Sequence, residues 1–222
     1  MKLSFILPVL FLFLVGCNGM SEPNEQFMVS SIGFVKTGAK VSAFVQAVDV
    51  KGGEQNENPE TFVVKGEGNS VGNAVKNTRS KLSKKLSLKH TELILINDTL
   101  EKDDLAEILS LSEDFDVSLR AKIASCEDIE KLLKNNSASS GLGLASVIEQ
   151  NAASAGFGGH TDLFEIKTAF LLGEEFAVTY FSSGEEVGVE GLYYYKNGIP
   201  TDILNFEESI RYSKEKNLYE GE

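Results

Sequence analysis

Residues 61–96 constrain the fold more than any other stretch. Thr61–Lys65 is rich in β-formers, and Gly66-Glu67-Gly68-Asn69 breaks it. A helical pattern follows, with Ser70 placed as its N-cap. Val71, Ala74, Val75, Thr78, Leu82 and Leu86 fall on one face of that helix. His90-Thr91-Glu92 then leads into Leu93-Ile94-Leu95-Ile96, an apolar run with the look of a buried strand. Strand–helix–strand predicts a parallel pair joined by a right-handed crossover.

The flanking sequence extends this theme. Phe27–Val35 and Lys40–Val50 read as strands around a tight turn at Thr37-Gly38-Ala39, and residues 51–60 as a loop. Asp98 and Glu101 have capping-box spacing for a helix over 99–112. Val117–Ala124 reads as a strand, and Ser125 and Asp128 as caps for a helix over 126–134. Small-residue loops at 135–143 and 153–160 bracket a short helix, Leu144–Gln150, and Thr161–Leu172 reads as a longer one. Glu175–Phe181 and Val187–Tyr195 read as strands, Asn197-Gly198 as a hairpin turn, and Glu207–Lys214 as a last helix. The expected fold class is α+β: a mixed sheet with flanking helices, then a short, partial, β-rich second module.

The N-terminus points to export. Lys2 precedes a short apolar run that ends at Leu14-Val15-Gly16-Cys17, the layout of a lipoprotein signal. The run is shorter than the roughly 20 residues a spanning helix needs, and Pro8 interrupts it. The expected organisation is a signal peptide at 1–16, a polar tether at 17–26, an N-terminal domain at 27–173 and a partial second domain at 174–222. Cys17 is the expected lipidation site. Cys126 then has no disulfide partner and reads as an inert core thiol.

The formal net charge is −12, and losing Lys2 with the leader makes the remainder more acidic. Such a chain repels nucleic acid and needs its lipid to hold a membrane. The basic run of Lys76, Arg79, Lys81, Lys84, Lys85 and Lys89 is the exception. It reads as the solvated face of an amphipathic helix, with contact to anionic headgroups as the alternative. Gly66-x-Gly68 lacks the third glycine of a dinucleotide loop, because position 71 is Val71. His90 and His160 are the only histidines, and no cluster has metal-ligand spacing. No G-x-S-x-G elbow or outstanding carboxylate pair marks a catalytic site. No catalytic, cofactor or metal residue is therefore assigned.

In this order, the motifs resemble the Ger(x)C family, the C subunits of spore germinant receptors. The Leu14–Cys17 lipobox comes first. Lys40-Val41-Ser42-Ala43-Phe44-Val45-Gln46 resembles the family's Y-x-V-x-x-Q strand. Residues 64–97 resemble its glycine turn, alanine-bearing helix and aliphatic strand, with His90 matching the histidine before that strand. Residues 187–202, VGVEGLYYYKNGIPTD, resemble the start of its second domain. There are departures. Asn18-Gly19-Met20-Ser21 stands where the family has a Trp-Asp-x-Arg-Glu-like run, and the chain has no tryptophan. Tyr193-Tyr194-Tyr195-Lys196 replaces Ala-Val-Phe-Lys. Family members are also longer, with three domains.

The resemblance implies a non-enzymatic subunit on the outer face of the spore's inner membrane. Its partners would be the integral-membrane A-type and B-type receptor subunits, and it would act through protein contacts. The alternative is an envelope lipoprotein unrelated to germination, a binding module for transport or assembly. A lipid-anchored enzyme is a third reading.

Overall fold

The computed structural model describes residues 26–49, 60–135, 141–154, 157–182, 188–216 and 218. The expected signal peptide, Cys17 and nearly all of the tether lie outside the described residues, as does most of the 51–60 loop.

Among the described residues, nine strands form one sheet: β1 (Gln26–Thr37), β2 (Lys40–Asp49), β3 (Glu60–Gly68), β4 (Lys85–Ser87), β5 (Leu93–Ile96), β6 (Lys122–Cys126), β7 (Phe176–Phe181), β8 (Val189–Lys196) and β9 (Ile199–Leu204). Their order is β3-β2-β1-β5-β6-β7-β8-β9, with β4 beside the start of β1. β1, β5, β6 and β7 run parallel, while β1–β2–β3 and β7–β8–β9 are antiparallel meanders. Seven described helices connect or cover them: α1 (Val71–Arg79), α2 (Lys102–Leu109), α3 (Leu111–Phe115), α4 (Ile129–Asn135), α5 (Gly141–Ser154), α6 (Leu163–Leu172) and α7 (Phe206–Glu215). The mixed sheet with flanking helices is the expected α+β class. The sheet runs unbroken past residue 173, because β7 pairs with β6.

Strand β5 shows why its run is apolar throughout. Ile94 and Ile96 join the core under α1, α2 and α6, with Val75, Leu105 and Ile166. Leu93 and Leu95 point the other way, into a core with Leu132 of α4 and Ile148 of α5. Successive side chains alternate faces, and helices cover both. A smaller cluster seats Tyr212 of α7 against Ala177 and Leu192.

Strands β3 and β5 are not the adjacent pair the local pattern predicts. β2 and β1 lie between them. The β1–β2 hairpin comes earlier in the chain and occupies the position the simple unit would use. β3 also continues through Gly68 instead of ending at Lys65. A Cβ on Gly66 would meet the Ala74 carbonyl oxygen at 2.3 Å, and one on Gly68 would meet the Ala74 nitrogen at 2.5 Å. These glycines let α1 lie directly on the strand.

Helix α1 starts as expected, with the Ser70 hydroxyl accepting from the Asn73 N–H. It stops at Arg79, short of the predicted Leu82 and Leu86. Leu86 lies in β4, where Lys85-Leu86-Ser87 pairs with Gln26-Phe27-Met28. Alternation puts Leu86 and Leu88 in the core. Pairing with the free edge of β1 overrides the local helical spacing.

The predicted 99–112 helix is divided into α2 and α3. Its capping box is Glu101 with Asp104, three residues later than Asp98 with Glu101. Residues 117–121 precede β6 instead of belonging to it. Asp128 accepts from the Lys131 N–H at the start of α4, whereas Ser125 stays in β6. The helix expected at Leu144–Gln150 extends over Gly141–Ser154. Asn197 and Gly198 both have positive φ, 53° and 75°, as a two-residue hairpin turn requires.

One buried amide ties three elements together. A β-bulge in β1 inserts Ser30 between Val29, opposite Ala47, and Ser31, opposite Gln46. Both serine hydroxyls donate to Gln46 Oε1, at 3.0 Å and 3.3 Å. Gln46 Nε2 donates to the Leu133 carbonyl of α4 at 3.1 Å. Gln46 is 1% exposed.

Two stability changes follow. Gly68→Ala forces a side chain into the α1 backbone and costs about 1–3 kcal/mol, measured by urea unfolding. Gln46→Ala leaves buried hydroxyls and the Leu133 carbonyl without their partner. It costs about 1–3 kcal/mol on the same measurement, with a cavity penalty in addition.

Candidate functional site

The sheet has a distinct end where β1 begins. Gln26 pairs with Lys85, Phe27 lies opposite Asp49, and Asp49 lies opposite Glu60. Helix α1 runs back toward this end, where Lys85–Ser87 of β4 pairs with Gln26–Met28. The basic residues are therefore not one helical face, as the amphipathic reading expects. Lys76 and Arg79 lie on α1, while Lys81, Lys84, Lys85 and Lys89 lie on the following loop and β4.

Several of these cations have structural duties. Arg79 stacks over Phe115 at 5.1 Å from the ring centroid. Burial lowers the pKa of its guanidinium, and the Asp116 carboxylate pulls it back up. Lys84 pairs with Asp49 at 2.6 Å and sits over Phe27. Lys81 donates to the Lys65 carbonyl at 2.7 Å. Lys89 meets exposed Asp116 at 3.9 Å, a distance at which an exposed pair contributes little. Lys85 is exposed. A shallow hollow of ≈390 Å³ lies among Arg79, Leu82, Ser83, Lys84 and Lys85.

At the far end of β1, the Lys36 ammonium pairs with Asp104 at 2.8 Å and Glu101 at 3.0 Å. The hydrogen bond to Asp104, followed by that to Glu101, raises its pKa. Its backbone N–H donates to the Thr99 hydroxyl. This cluster fixes the start of α2 to the end of β1.

The carboxyl ends of β5, β6 and β7 form a cleft of ≈270 Å³, lined by Asp98, Ser125, Cys126, Glu127, Tyr180, Tyr193 and Ile203. Sequence reading did not single it out, because its residues come from five separate segments. Open sheets commonly bind ligands outside their strand carboxyl ends. Tyr180 and Tyr193 meet edge to face at 5.7 Å, and burial pushes the Tyr193 phenol up to about 12. Burial likewise pushes the Cys126 thiol up to about 12. That is the reverse of nucleophile activation and fits the reading of Cys126 as a core thiol. A wider cleft of ≈560 Å³ is lined by Glu92, Arg120, Lys122, Ser146, Glu149 and Asp162, and Lys122 pairs with Glu149 across it at 3.0 Å.

Neither histidine lines the hollows described above. His90 is exposed in the turn closed by the Thr91 N–H to the Leu88 carbonyl. The turn leads into β5. His160 is half-buried, edge-on to Phe176, and its Nδ1 is buried without a hydrogen-bond partner. Burial lowers its pKa, against a smaller upward pull from Glu165. Gly66 and Gly68 serve the strand–helix contact, not a phosphate loop. No group of three or more metal-binding side chains occurs among the described residues. No described helix is long and apolar enough to cross a membrane.

The family model described as the spore germination protein N-terminal domain matches residues 19–182, which span β1 through β7. No curated protein and no solved structure gives a match.

His160 yields a pH prediction. Its folded pKa lies below the unfolded value of about 6.5, so the unfolded chain takes up a proton first as pH falls. Stability is fully present above that value and declines as pH drops below it. The urea midpoint of the wild type therefore falls between about pH 7.5 and about pH 5.5, one unit either side of the unfolded value, and His160→Phe flattens that decline.

Proposed function

Because the chain belongs to the Ger(x)C-type family defined by the spore germination protein N-terminal domain, we propose that it is a lipid-anchored subunit of a nutrient germinant receptor. The family match over most of the chain carries this reading. Membership gives a role in spore germination and, more broadly, association with receptor subunits and membrane. Acylation of Cys17, the outer face of the spore's inner membrane and the A-type and B-type integral-membrane partners are the finer parts of the proposal.

The Leu14–Cys17 motif supports the anchor, because small residues before a cysteine are what a lipoprotein peptidase cleaves beside. The surface supports action through protein contacts. β9 is the outermost strand of the meander and exposes Ile199 and Ile203. Phe170 of α6 lies close against Gly198 in the β8–β9 turn. Exposed Leu171 and Leu172 follow it in sequence. An open strand edge beside exposed aliphatic residues suits pairing with another protein. In this reading the chain works without catalysis. The N-terminal domain includes β7, and a following module begins with β8.

The test is germination itself. Spores lacking the gene are followed for dipicolinic acid release across a panel of nutrients, in a strain whose other nutrient receptors are deleted. The expected outcome is loss of response to some nutrients, restored by the wild-type gene and poorly by Cys17→Ala. An unchanged response to every nutrient contradicts the proposal and favours an envelope module with another task.

A further inference from the structure

We infer that the cleft at the carboxyl ends of β5, β6 and β7 is a recognition site for a small organic cation, an ammonium or guanidinium group carried on a short apolar stem. The inference stands on the cleft alone and is independent of the lipid anchor. The walls come from distant parts of the chain. Asp98 follows β5, Glu127 follows β6, and Tyr180 lies near the end of β7. Tyr193 and Ile203 are register partners on β8 and β9.

Charge decides what such a cleft accepts. Asp98 and Glu127 are exposed carboxylates that line it, and no described lysine or arginine does. Neither carboxylate has an ion pair among the described residues. After burial, which is the larger cause, carboxylate charge raises the pKa of both tyrosines. Glu127, Glu190 and Asp98 act on Tyr180, and Asp98 and Asp202 act on Tyr193. An uncompensated negative hollow attracts cations and repels anions.

The rings give a second, independent reason. Tyr180 and Tyr193 stand at 65° to one another with centroids 5.7 Å apart, so they form an aromatic corner. Ring faces attract ammonium and guanidinium groups. Ser125 donates its hydroxyl proton to the Ile96 carbonyl at 3.0 Å, which leaves its oxygen as an acceptor. Tyr195 meets Tyr193 edge to face at 5.4 Å, and its own hydroxyl is buried without a hydrogen-bond partner. Ile203 is exposed and supplies an apolar wall for the stem.

Size narrows the class. The volume of ≈270 Å³ lies below the range of about 300–1,000 Å³ for drug-sized ligands. It suits a short free amine or one lysine or arginine side chain of another protein. Tyr193 and Ile203 lie beyond residue 182, where the family match ends. An occupant therefore touches the matched region and the strands that follow it at once.

The test uses the full-length chain in non-ionic detergent and saturation-transfer NMR of butylammonium, with butanol and butyrate as neutral and anionic controls. The expected result is saturation of butylammonium well above both controls and above a detergent blank. Asp98→Asn/Glu127→Gln, checked for an unchanged urea midpoint, should weaken binding by about tenfold or more, as loss of a charged hydrogen-bond acceptor does. Tyr193→Leu should weaken it by roughly 2- to 30-fold, while Tyr193→Phe keeps the ring and the affinity. N-acetyl-lysine amide separates the two sources. Tighter binding than butylammonium assigns the site to a partner's side chain, and weaker binding assigns it to a free amine. Equal saturation of butanol, or butylammonium binding that the carboxylate double variant leaves unchanged, overturns the inference. Either result leaves the germination reading standing, since that reading is tested on spores.

Discussion

The side-chain amide of Gln46 is the interaction on which the arrangement of the sheet depends. It binds the bulge of β1 to β2 and to the end of α4, through Ser30, Ser31 and the Leu133 carbonyl. The bulge also marks where β1 changes partner. Before it, Gln26–Met28 pair with β4; after it, Ser31–Phe34 pair with β5. The Ser30 carbonyl accepts the Glu92 N–H at the changeover. One extra residue thus lets a single strand serve a hairpin on one side and two parallel partners on the other. A buried amide with its oxygen and nitrogen both engaged is a high-stakes contact, since removing it strands several polar groups.

From that strand the rest follows in layers. The parallel strands β1, β5 and β6 bury side chains on both faces, so helices must cover both. α1, α2 and α6 cover one face and α4 and α5 the other. Glycines in β3 draw α1 close, and the segment after α1 returns the chain to the end of the sheet where β1 begins, through the pairing of Lys85 with Gln26. The same topology gathers acidic and aromatic groups at the carboxyl ends of the parallel strands.

Local chemistry was legible where the sequence itself closes the loop. Ser70 caps α1, Asn197-Gly198 turns the last hairpin, and Asp128 starts α4. Each acts on residues within a few positions of itself. Order in the sheet was not legible from residues 61–96 alone, because the neighbours of β3 and β5 come from the earlier hairpin. Lys81–Leu86 kept a helical spacing that the free edge of β1 overrode. Gln46 was visible as part of the family-like strand, but its partners lie 15, 16 and 87 positions away in the chain. The Asp98–Tyr193 cleft carries no sequence signature, since tyrosines on strands read equally well as core. Cys17 is a sequence inference and lies outside the described residues.

The proposed role is that of a lipid-anchored partner to integral-membrane receptor subunits. It is tested by affinity purification of the tagged chain from detergent-solubilised spore inner membranes, with bound proteins identified by mass spectrometry. The proposal predicts two multi-span proteins of the A-type and B-type kind, together with an N-terminal peptide that begins at acylated Cys17. Recovery of the chain alone, or with a transport permease instead, would contradict it.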